Sequence, residues 1–111
     1  MRRGEVWRVR LPRASGHVQA GERPALVVQH DAFTAALSTV LVVPFTGSLA
    51  AARFPGTLRV DPDATNGLTM PSIALAFQLR AVDQPDCVQC LGEVDAATLA
   101  AVVALIGDLA G

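Results

Sequence analysis

The sequence predicts an α+β protein in which five or six short strands form a small curled sheet or barrel and one helix follows late in the chain. Three observations carry that expectation. Apolar residues alternate with period two in several short runs, irregular segments rather than βαβ crossovers separate those runs, and apolar residues at helical spacing occur near the C-terminus. A chain of 111 residues that is 51% apolar can bury one modest core, so residues 1–111 are read as a single domain, and repeat arrays and two-domain enzymes are excluded.

In residues 4–11 (GEVWRVRL), Glu5, Trp7, Val9 and Leu11 share one strand face and Val6, Arg8 and Arg10 the other. The first face goes inward, Trp7 with it, and the second carries cations. Residues 12–22 (PRASGHVQAGE) combine proline, serine and two glycines with few apolar groups, a loop long enough to be functional. Residues 23–29 (RPALVVQ) restart a strand, with the proline near its start, where a missing N–H is tolerated. Asp31 is placed to cap a short helical turn, DAFTAAL. Residues 38–45 (STVLVVPF) are apolar on both faces, as in a central strand, and end at Thr46. An irregular segment at 46–56 leads to a strand around 57–61, and PDATNG then supplies turn chemistry. Residues 72–82 (SIALAFQLRAV) read as one strand and 87–91 as a shorter one. Asp95 caps a helix whose Leu99, Val102, Val103, Ile106 and Leu109 recur at helical spacing. That helix is apolar or alanine nearly all round, which predicts packing on the sheet and on a second copy of the chain.

Several function classes drop out. No apolar run reaches the roughly 18 residues a bilayer crossing needs, and the opening MRRGEVWRVRL is charged where a signal peptide is apolar, so a soluble, cytoplasmic protein is expected. Cys87 and Cys90 (CVQC) supply half of a structural zinc site, with no nearby cation to activate a thiol, and read as structural. His17 and His30 stand at no metal-ligand spacing, so neither a metal nor a cofactor is expected. G-x-G-x-x-G, P-loop and G-x-S-x-G motifs are absent.

The net charge of −1 conceals an asymmetry: residues 1–23 hold six arginines against Glu5 and Glu22, whereas residues 24–111 hold three arginines against eight acids. A basic first quarter suits an anionic ligand, with Arg8, Arg10 and Arg13 as candidate phosphate-positioning groups. Arg23 opens one strand and Thr46 closes the next, so both can emerge at one rim. A guanidinium beside a hydroxyl donor can bind a phosphate and stabilise the added charge of a pentacoordinate phosphorus.

With those residues in view, the chain resembles the MazF/PemK family of toxin endoribonucleases along nearly its whole length. RRGEVWRVRLP resembles the family's first strand, GHVQAGERPALVVQHDAF its loop, Arg-Pro and next strand, TVLVVPFTGSL the segment ending in the catalytic threonine, NGLTMPSIALAFQLRAVD its later strand, and LGEVDAATLAAV its closing strand and helix. The resemblance implies a small SH3-like, CcdB-type barrel with a C-terminal helix, acting as a homodimer. It also implies metal-independent cleavage of single-stranded RNA, such as mRNA, through attack by the ribose 2′-hydroxyl, leaving 2′,3′-cyclic phosphate and 5′-hydroxyl ends. Arg23 and Thr46 fall on the catalytic pair, and Gln19, Ser72 and Gln78 on positions that line the substrate groove. Ser48 and Phe54, in the second irregular segment, join the RNA-binding candidates, Phe54 as a base-stacking ring. A MazE-type antitoxin with an acidic tail is the implied partner.

One departure stands out: Val18 occupies a position where the family often has a carboxylate. Either Arg23 and Thr46 suffice, or His17 or Glu22 takes the base role, or activity is weak. Two other readings stay open, a CcdB-like toxin that poisons a protein target and an RNA-binding homologue that does not cut.

Overall fold

The computed structural model describes residues 1–11 and 21–111. In order it contains β1 (Glu5–Leu11), β2 (Gly21–Val27), α1 (Asp31–Ala36), β3 (Thr39–Thr46), β4 (Thr57–Val60), β5 (Ser72–Leu75), β6 (Arg80–Asp83), β7 (Cys87–Glu93) and α2 (Ala96–Ala110), with 3-10 turns at Leu49–Arg53, Ala76–Gln78 and Gln84–Asp86. The seven strands form an antiparallel sheet in the order β4-β5-β3-β2-β1-β7, with β6 beside β5 along the same edge of β3. β3 is paired on both edges, as its two apolar faces predict.

The sheet curls because its connections are short. β6 lies beside β3 and β7 beside β1, so a flat sheet would hold them four strand spacings apart, about 19 Å. From Asp83 to Cys87 the chain can reach at most about 14 Å. Curling closes one face on itself, and Val82 and Cys87, from the two margins, meet Val9, Leu11, Ala25, Val27, Val40 and Val42 in one cluster. The other face packs Val6, Leu26, Val43, Phe45 and Ala74 against α2, which contributes the buried Val102 and the partly buried Leu99, Leu105 and Ile106. Both faces are therefore apolar, as period two in Ala25–Val28 and Val40–Phe45 requires.

Curling stops short of a barrel. Among the described residues β4 and β7 do not pair, and the expected closure is corrected to an open sheet. What meets the free edge of β7 is the 61–68 segment: the Glu93 N–H donates to the Thr65 carbonyl at 2.9 Å, and Gly67 and Gly92 pack backbone on backbone. A methyl group at Gly92 would collide with the Thr65 oxygen. The Asp63 carboxylate shapes this segment by accepting from the Thr65 and Asn66 N–H groups, each at 2.8 Å.

Other local expectations change too. Residues 72–82 are not one strand. Phe45 faces Ala74 and Val42 faces Arg80, so residues 75–79 stand opposite only Val43 and Pro44, and the excess is taken up by the turn at Ala76–Gln78. His30 rather than Asp31 precedes α1, without a side-chain cap, and the Asp31 carboxylate instead accepts from the Arg3 N–H at 2.7 Å. Trp7 is half-buried at the margin of its cluster rather than within it, its indole N–H donating to Glu5 at 3.1 Å. The Asp95 cap stands as expected, accepting from the Thr98 N–H at 2.7 Å. No helix among the described residues is long and apolar enough to cross a membrane.

Candidate active site

β2 and β3 pair with one constant register: Val27 with Val42, Leu26 with Val43, Ala25 with Pro44. Continued by two residues, that register sets Arg23 opposite Thr46, and the period of two points both side chains to the same face. The pairing itself ends at Ala25 and Pro44, next to Pro24, which has no N–H to give. Where the strands part, Arg8, Glu22, Arg23, Thr46, Met70 and Ser72 line a hollow of about 440 Å³.

Within it Arg23 is exposed and Thr46 is buried. The Thr46 Oγ1 accepts from the Ser48 N–H at 3.2 Å, which fixes the hydroxyl's orientation as the chain leaves β3. Ser72 is also buried, and its hydroxyl donates to the Met70 carbonyl at 2.9 Å, so it holds the wall of the hollow. Arg8 is half-exposed and lies 3.9 Å from Glu22. Arg10, though expected beside Arg8, does not line the hollow; it lies 4.0 Å from Asp86, at the turn leading into β7.

A second hollow opens on the other side of Thr46, lined by Thr46, Ser48, Arg53, Phe54, Phe77 and Gln78 together with small apolar residues. The sequence candidates thus gather in two groups that share Thr46: Arg8, Arg23 and Ser72 in one, Ser48, Phe54 and Gln78 in the other. Arg13, His17 and Gln19, like Val18, lie outside the described residues.

Sequence reasoning missed Phe77 and Arg53. Read within an unbroken strand, Phe77 shares a face with Ile73 and Leu75 and belongs to the core; the turn at Ala76–Gln78 exposes it instead. Arg53 lies over the Phe54 ring at 4.8 Å, and the adjacency of Arg and Phe in a loop was the available signal. Elsewhere, burial and then the neighbouring Asp86 charge push the Cys87 thiol up, which fits a structural cysteine. No cluster of three His, Cys, Asp or Glu able to hold a metal occurs among the described residues.

This open α+β sheet with a C-terminal helix is the architecture of the MazF toxins. Crystalline MazF from Deinococcus radiodurans superposes with a TM-score of 0.83 at 27% identity, covering 100% of this chain and 96% of that one. A MazE–MazF structure from the same organism gives 0.76 at 28% identity, again over 100% and 96% of the two chains. In sequence, the chain is 34% identical to the endoribonuclease MazF9 of Mycobacterium tuberculosis over 105 residues, 90% of this chain and 87% of that protein. Residues 2–109 match the PemK-like, MazF-like toxins of type II toxin-antitoxin systems, and the chain belongs to that family.

Proposed function

We propose that this chain is a metal-independent endoribonuclease toxin that cuts single-stranded RNA at the hollow shared by Arg23 and Thr46. The observation that supports the reading is that Arg23 and Thr46 both line one hollow, just beyond the last β2–β3 pair where the two strands part. The ribose 2′-oxygen attacks the adjacent phosphorus in line, the new O2′–P bond forms as the P–O5′ bond breaks, and the products carry a 2′,3′-cyclic phosphate and a 5′-hydroxyl. Arg23 stabilises the charge that builds on the non-bridging oxygens and protonates the departing 5′-oxygen, while Thr46 donates a hydrogen bond to the phosphate. In this reading Glu22, the carboxylate among the residues lining this hollow, accepts the 2′-hydroxyl proton. Single-stranded substrate follows from in-line geometry, which an A-form helix restrains.

Two partners complete the reading. α2 leaves Leu109 half-exposed and carries Asp108 as its one charged residue, a surface suited to a second copy of the chain. Arg8 and Arg23 at the open hollow suit the acidic tail of a MazE-type antitoxin, the kind of partner present in the Deinococcus complex.

The test is incubation of the purified protein with long single-stranded RNA in EDTA, with both new ends mapped. Cleavage with 2′,3′-cyclic phosphate ends, abolished in Arg23→Ala, is expected. RNA bound but uncut would make the chain a binding homologue; RNA neither bound nor cut would favour a toxin aimed at a protein.

A further inference from the structure

We infer that the thioether of Met70 is a redox control point of the Arg23–Thr46 hollow: a peroxide oxidises it to the sulfoxide, the added oxygen takes a donor from the scissile phosphate, and cleavage slows until the sulfoxide is reduced. This rests on the ribonuclease reading above and adds a modification site to it.

Accessibility and position carry the first part of the argument. The chain has two methionines. Met1 is half-buried and packs against the cluster that holds Val9 and Val27, whereas Met70 is 53% exposed and lines the same hollow as Arg8, Arg23 and Thr46. A thioether has no proton to lose, so exposure of the sulfur sets how readily it is oxidised.

The surroundings of the sulfur carry the second part. Gly47 directly follows Thr46, and a β-carbon there would stand 2.7 Å from the Met70 sulfur, which therefore rests on the backbone in the space the glycine leaves. That side is closed, and an added oxygen projects from the other, toward the hollow. The main chain holds the residue in place: the Met70 carbonyl accepts from the Ser72 hydroxyl at 2.9 Å, and Pro71 restricts the backbone before it.

In the reaction the sulfur lone pair attacks one oxygen of hydrogen peroxide and the O–O bond breaks. The transferred hydroxyl gives its proton to the departing hydroxide, which leaves as water, and the sulfur has lost two electrons. Reduction takes two electrons from a dithiol, and the oxygen leaves as water. A thioether is a weak acceptor and a sulfoxide oxygen a strong one. The donors lining this hollow are those assigned to the phosphate, the guanidiniums of Arg8 and Arg23 and the Thr46 hydroxyl, so the new acceptor competes for them. Cys90, the exposed thiol, lies outside the lining of the hollow.

The experiment treats the intact protein, Met70→Leu and Cys90→Ser with dilute hydrogen peroxide and follows both methionines by peptide mass. Cleavage of a single-stranded RNA spanning a mapped site is measured for each protein against its own untreated sample. In the intact protein and in Cys90→Ser, Met70 is expected to gain one oxygen before Met1, with an unchanged thermal melt. The cleavage rate should fall by about 10- to 150-fold, the worth of one hydrogen bond from a charged donor. Methionine sulfoxide reductase with dithiothreitol should restore the rate as the mass returns. Met70→Leu, which cannot take up the oxygen, should keep its own untreated rate. Complete oxidation of Met70 with the rate unchanged would overturn the proposal. So would an equal loss in Met70→Leu, a loss confined to proteins that keep Cys90, or a melt that falls with the activity. Untreated protein that cuts no RNA would remove the ribonuclease reading and the proposal with it, a result told apart because it precedes any oxidant.

Discussion

Replacing Thr46 by valine separates the acceptor role its hydroxyl has towards Ser48 from the catalytic role proposed for it. Valine keeps the volume of a side chain that is only 8% exposed, so the packing around it survives while the hydroxyl is lost. On the chemistry, loss of one preorganised donor to a developing oxyanion costs about 10²- to 10³-fold in rate, or about 2.7–4 kcal/mol. On the fold, the Ser48 N–H loses the acceptor it now has at 3.2 Å, at a cost of about 0.5–1.5 kcal/mol. For a chain of this size that lowers the Tm by about 4–8 °C per kcal/mol, leaving the protein folded at 25 °C. Single-turnover cleavage of a defined oligonucleotide at 25 °C and a thermal melt read the two effects independently. Thr46→Ser, which keeps the hydroxyl, should stay within about tenfold of the intact protein in rate. A valine variant slowed less than tenfold, or a serine variant as slow as valine with an unchanged melt, would refute the role assigned to Thr46.

Arg8→Ala should weaken RNA binding and reduce the slope of log affinity against log salt by about 0.7, the value for one phosphate contact on a single strand; Arg10→Ala, whose arginine lies by Asp86, should leave the slope unchanged in the same titration. Gly92→Ala should lower stability by about 1–3 kcal/mol in urea melts because the new methyl meets the Thr65 carbonyl, whereas Gly107→Ala, with open space around it in α2, should raise stability by about 0.5–1 kcal/mol. The Asp63 carboxylate is held below its ordinary 3.8 by the Thr65 and Asn66 N–H groups, and Asp95 by the hydroxyl and then the N–H of Thr98. Folding thus favours their charged forms, and the stability they add is full well above 3.8 and is lost as pH falls through their lowered folded values. The double variant Asp63→Asn, Asp95→Asn should show a flatter acid limb in urea midpoint against pH, and an unchanged limb would refute the assignment.

What the sequence made legible was local. The two-sided apolar run of β3 marked a central strand, Asp95 marked the start of α2, and Thr46 closes β3 as expected, whereas Arg23, expected to open its strand, is the third residue of β2; the two line one hollow. The missed features depend on relations between distant segments. Nothing inside SIALAFQLRAV announces a break; the break comes from residues 75–79 facing only Val43 and Pro44 of a strand some thirty positions earlier. The exposure of Phe77 follows from that break and not from the local pattern. Arg10 was assigned with Arg8 by alternation, and β1 keeps that alternation in constant register with β2; the extra residues of its irregular pairing with β7 lie on β7, and Asp86, just before that strand, is what Arg10 meets instead of the hollow. The open edge between β4 and β7 is likewise a property of the whole sheet.

Two interruptions in otherwise regular pairing shape the candidate site, one on each edge of β3. On the β2 edge the ladder stops at Ala25 and Pro44, and the strands part to form the hollow that holds Arg23. On the opposite edge β3 changes partner from β6 to β5, and the surplus residues between them become the turn that brings Phe77 and Gln78 to the second hollow. Thr46 is the last residue of β3 and lies beyond both interruptions, which is why it lines both hollows. If the ladder were completed on the β2 side, Arg23 would lose its cleft; if residues 72–82 ran as one strand, Phe77 would be buried. The departures from regular β structure are thus where the scaffold opens the two hollows, and the apolar clusters on both faces of the sheet are what keep those departures in place.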